Sequence, residues 1–85
     1  MHKGDIILNR WASDENPVRI SIITHIGKEY TQCLYENNGN LITSRFYTHE
    51  LKRDREHFEI IGHLDYEKPI KDMLKKLKGG ADNDR

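Results

Sequence analysis

The residues of this chain that could carry chemistry are one thiol, Cys33, five histidines (His2, His25, His49, His57 and His63) and carboxylates spread through its 85 residues. Nucleophilic catalysis needs a thiol or hydroxyl beside a base that a third group orients. Cys33 falls inside an expected strand and reads as a small buried or half-buried residue. A structural metal site needs ligands at short, set spacings. His49, His57 and His63 are separated by seven and five residues, neither a finger nor a helix-pair pattern, and the cysteine is far away in sequence. No carboxylate pair sits in an apolar context that would shift a pKa usefully, and no glycine loop suits a phosphate. The expectation is a protein that is not an enzyme and holds neither metal nor cofactor.

Contact chemistry is better supplied. Trp11, the single tryptophan, follows Arg10 at the end of the expected first strand, and aromatic and arginine side chains carry much of the energy of protein interfaces. Two readings of Trp11 stand: packing in the core or along an edge, and a protein-binding anchor acting with Arg10 and Tyr47. Tyr35 and Arg45, with Tyr47, flank an Asn-Gly turn and could stack unpaired bases, while Lys52, Arg53 and Arg55 could reach phosphates. Against that, cross-strand tyrosines are ordinary sheet stabilisers, and Glu50, Asp54 and Glu56 interleave with the bases and weaken their field.

The elements that must position these residues follow from length and pattern. Eighty-five residues make one domain, since two cores would leave too few residues for each. Fourteen Lys and Arg balance fourteen Asp and Glu, and Met1 to Tyr47 balances by itself, which removes the basic excess usual in nonspecific nucleic-acid or anionic-membrane binding. No stretch approaches the ~20 apolar residues of a membrane span, and Met1 to Asp5 lacks the apolar run that a signal peptide needs, so none is expected. A single cysteine fits a reducing compartment, so a cytoplasmic protein is expected.

Ile6 to Trp11 reads as a first strand. Val18 to Ile26 has a period of two, with Val18, Ile20, Ile22, Thr24 and Ile26 on one face and that face buried. Gly27-Lys28 suits a two-residue hairpin with glycine at its first central position, leading to a third strand, Glu29 to Glu36. Asn38-Gly39 predicts a second, type I′ hairpin into Leu41 to Tyr47. Thr48 to Leu51 reads as a helical turn with Leu51 plugging the core, Lys52 to Glu56 as a connector, and Phe58 to Gly62 as the fifth strand. The period then becomes 3.6: Tyr66, Ile70, Met73, Leu74 and Leu77 form an apolar stripe on a helix over 65–78, with Asp65 as N-cap. Gly79-Gly80 would stop it, leaving 79–85 as a flexible tail.

Five short strands with a helical turn between the fourth and fifth is the element order of SH3-like small barrels, the group that includes Tudor and KOW-type domains. The stretch from Gly4 to Gly62 resembles that group through Gly4-Asp5-Ile6-Ile7, the Asn38-Gly39 turn and Thr48-His49-Glu50-Leu51. It lacks the later KOW glycine pattern and the ALYDY-type signature of SH3 signalling domains. The fold class expected is mainly β, a five-stranded SH3-like small barrel over residues 1–64 with a C-terminal α-helix packed on it. One bent sheet closing on itself would shelter Ile6, Leu8, Ile20, Ile22, Leu34, Phe46, Phe58 and Ile60 together. Such barrels bind peptides, proteins and nucleic acids alike. The function expected is a small protein-interaction module, similar in size and style to bacterial and phage accessory proteins, whose partner is another protein. The alternative is a nucleic-acid-binding barrel. A helix stripe left uncovered by its own barrel would instead support a homodimer.

Overall fold

The computed structural model of the chain describes residues 1–83, with side chains through Lys78. Its elements are β1 (Asp5–Asn9), β2 (Ile20–Ile26), β3 (Tyr30–Asn37), β4 (Asn40–Tyr47), α1 (Thr48–Arg53), β5 (Phe58–His63) and α2 (Glu67–Asn83). The β3–β4 turn forms as its residue types demand, since Asn38 and Gly39 both take positive φ, 53° and 83°. From there the two strands pair without interruption from Asn37↔Asn40 to Tyr30↔Tyr47. The β2–β3 connection departs from expectation: Gly27 has no positive φ. Its reason is closeness, because a Cβ there would meet the Tyr30 carbonyl oxygen at 2.5 Å.

All five strands join one antiparallel sheet in the order β4-β3-β2-β1-β5. β4 and β5 are its edges and no backbone pairing closes them, so the sheet is open where a complete barrel would be shut. Side chains approach across that gap, Phe46 and Phe58 meeting edge to face with ring centroids 5.5 Å apart. At the same end Thr48 opens α1 under tight control. Its N–H donates to the Glu29 carbonyl, and its hydroxyl bonds the Thr31 hydroxyl and the Gly27 carbonyl.

The core gathers Ile7, Ile23, Cys33, Phe58 and, from α1, Leu51, with Met1, Ile26 and Phe46 packed against them. This corrects the expected interior. Phe46, Phe58 and Ile60 belong to the core face, but Ile6, Leu8, Ile20, Ile22 and Leu34 lie on the other one, with Ile6 opposite Ile22 and Ile22 opposite Leu34. Ile6-Ile7-Leu8 and Ile22-Ile23 are apolar at both parities, so a shift of one residue exchanges the faces without changing the pattern. A bulge between Ile23 and His25 then turns Ile26 back toward the core, which no strict alternation could do.

Asp65 caps α2 as expected, its Oδ1 accepting from the Lys68 N–H at 3.0 Å. The helix does not stop at Gly79-Gly80 and continues to Asn83. Glycine costs a helix about 1 kcal/mol per residue but does not forbid it. Of the expected tail, Asp84 and Arg85 lie outside the described residues. The helix is also not packed on the sheet: Ile70, Met73, Leu74 and Leu77 are all exposed. The molecule is accordingly elongated, 56 × 29 × 21 Å.

Candidate functional site

Trp11 stands just beyond β1, in the turn that leaves the sheet. Asn9, fully buried, fixes that turn from inside: its Nδ2 donates to the Val18 carbonyl at 3.0 Å and its Oδ1 accepts the Trp11 N–H at 3.0 Å. The neighbouring Arg10 N–H donates to the His57 carbonyl. The indole is then held by two side chains far along the chain. It stacks on the His57 ring with centroids 4.0 Å apart, and its Nε1–H donates to Asp54 Oδ2 at 3.2 Å. Asp54 also takes the His57 Nδ1–H at 2.9 Å. These donors, His57 foremost, lower the Asp54 pKa against the opposing effect of burial. Despite this clasp Trp11 remains 57% exposed, which removes core packing as its role.

Beside the indole opens a hollow of about 380 Å3, lined by Asn9, Asn16, Phe46, Phe58, Glu50 and Arg53. Its floor is aromatic and its rim carries both charges. Arg10 points elsewhere, toward Glu59 at 3.4 Å.

Tyr47 belongs to a second cluster. Its ring stacks on Tyr30 at 5.1 Å, His49 lies at 5.6 Å from it, and the Arg45 guanidinium sits 4.3 Å above the Tyr30 ring. The structure thus divides Arg10, Trp11 and Tyr47 between two sites. Of the residues matched to nucleic acid, Arg45 and Tyr47 both contact Tyr30. Tyr35 pairs with Ile42 further along β3 and lies at the border of an apolar groove. Lys52, Arg53 and Arg55 are exposed on α1 and its connector, with Arg53 facing the Trp11 hollow. Tyr30 was missed, although counting outward from the two-residue turn puts it opposite Tyr47. His57 and Asp54 were missed as well; their three-residue spacing is visible, but their contact with Trp11 is not local.

Cys33 is fully buried, and burial pushes its thiol up to about 11, so it stays protonated at neutral pH. Asp5, also buried, accepts the His2 N–H at 2.7 Å and the His63 ring at 2.8 Å, tying β1 to β5. Among the described residues no three of His, Cys, Asp and Glu gather into a metal-holding group, and no helix is long and apolar enough to cross a membrane. Compared with protein-family models, curated proteins and solved structures, the chain matches none, so its function is read from these sites alone.

Proposed function

We propose that the chain is a non-enzymatic protein-interaction module that binds a peptide segment of another protein at the Trp11 hollow. The observation that carries this is the state of Trp11: more than half exposed, yet fixed by the His57 stack and the Asp54 hydrogen bond. An aromatic side chain immobilised before contact loses little conformational entropy on binding. The aromatic floor supplies apolar area beside it, and Glu50 and Arg53 on the rim give polar selectivity. We further read the sheet as an SH3-like small barrel. The strand order β4-β3-β2-β1-β5, α1 between β4 and β5, and the Phe46–Phe58 contact across the open edge support that reading.

Selection from a random peptide library tests the module, with intrinsic fluorescence of the single tryptophan as the binding signal. Enriched peptides should shift that emission in the wild type and, by titration calorimetry, which needs no tryptophan, bind Trp11→Ala at least ~10-fold more weakly, the loss of a typical hot-spot anchor. Binding unaffected by Trp11→Ala would remove the site.

The Tyr30, Arg45, Tyr47 and His49 cluster supports a second reading, a single-strand nucleic-acid surface, because stacked aromatics with a guanidinium offer a platform for bases. Oligonucleotide affinity that falls steeply between ~50 and 200 mM salt would favour it, and no binding at low salt would dismiss it.

A further inference from the structure

Two apolar surfaces of the chain stand uncovered, and the charges beside them are opposite. On the sheet face opposite the core, Ile6, Ile20, Ile22, Leu34 and Leu41 border a groove of about 440 Å3. A sheet apolar on both faces needs a second covering layer. The layer present in the sequence is α2, whose Ile70, Met73, Leu74 and Leu77 fall on one stripe and are 57–64% exposed.

The segment joining β5 to α2 decides where that stripe can go. The Leu64 N–H donates to the Gly4 carbonyl at 2.8 Å, Lys3 pairs with Glu67, and Asp65 caps the first turn. These contacts fix the segment that leads into α2, and from it the helix runs with its stripe exposed and off its own sheet. Tyr66, the first member of the stripe, already lines the groove with Leu64, so the apolar surface runs out of one and onto the other. Charge agrees: among the described residues lining the groove the one ionised side chain is Glu36, while Lys76 and Lys78 stand on either side of Leu77.

We propose that this chain forms a two-fold dimer by helix exchange, the α2 stripe of each copy seating in the outer-face groove of the other. A closed exchange covers both surfaces twice and leaves neither open to further chains. The dimer uses a different surface from the Trp11 hollow, so either can fail without the other.

Light scattering on the full chain reads the mass, and cross-linking reads the seat. Wild type should elute at twice the 10.1 kDa chain mass. Leu74→Asp and Leu41→Asp, both at solvent-exposed positions, should shift it to the single-chain mass at least ~10-fold more readily on dilution, with unchanged far-UV circular dichroism. Mixing Ile20→Cys chains with Leu74→Cys chains under mild oxidation should give the mixed disulfide, with buried Cys33 left in place. Single-chain mass for wild type at ~100 μM would overturn the proposal while leaving the Trp11 reading intact. So would Leu74→Cys linking to itself alone, or a doubly substituted chain closing on itself at high dilution. Trp11→Ala should leave the dimer unchanged.

Discussion

Ile22 and Ile23 are neighbours in the chain on opposite faces of β2, and truncating each to alanine reads which face is the core. Ile23 is wholly buried against Cys33 and the rest of the inner cluster. Removing three carbons there forfeits about 2.4 kcal/mol of transfer free energy at ~0.8 per methylene. The hole left behind raises the loss to ~3–4 kcal/mol, because packed surroundings relax only in part. Ile22 is partly exposed and borders the open groove, where such carbons are worth less and no closed cavity forms, so its truncation should cost ~1 kcal/mol. A chain of this length has a total stability of roughly 4–13 kcal/mol, so the difference is plain in urea unfolding. Melts at several chain concentrations would separate the contribution of association from that of the fold. If Ile23→Ala fails to fold, Ile23→Val should still cost ~1 kcal/mol. Equal losses, or a larger one at Ile22, would refute the assignment of faces and restore Ile6, Leu8, Ile20 and Ile22 to the interior.

Three further outcomes follow from the side-chain geometry. Asp54→Ala should free the indole, shortening the nanosecond anisotropy decay of Trp11 while the fold persists; an unchanged decay would mean the clasp does not immobilise it. Burial works against ionised Asp5, but the His2 N–H and the His63 ring outweigh it and lower its pKa. A folded pKa below the unfolded one gives stability that is present above the unfolded value and lost as pH falls through the folded one, so Asp5→Asn should flatten acid unfolding followed by circular dichroism. A thiol reagent at pH 8 should label native Cys33 slowly and at once in urea; rapid native labelling would contradict its burial.

The sequence made the order of elements legible and hid the choice of face. The Asn38-Gly39 turn, the helical turn carrying Leu51 and the Asp65 cap are decided by residues within a few positions of one another, and each forms where read. Burial of Ile23 instead of Ile22 depends on which side receives Leu51 and Phe58, residues contributed from beyond β4. Period-two patterning is silent where both parities are apolar. The site divides in the same way. Trp11 stands out by residue type, but its clasp joins it to Asp54 across 43 positions. Tyr30, and not the expected Tyr35, stands opposite Tyr47, a pairing that the turn implies once its register is carried back to the start of β3.

The placement of β1 between β2 and β5 has a kinetic consequence. The β3–β4 ribbon can zip locally from its tight turn, whereas Asp5 must wait for His63 before its strand gains a second neighbour. A growing polypeptide that has not yet delivered Phe58 therefore lacks both a sheet edge and part of its interior. Folding should be limited by that end-to-end closure, and shortening the loop between Asn9 and Ile20 should hasten it little.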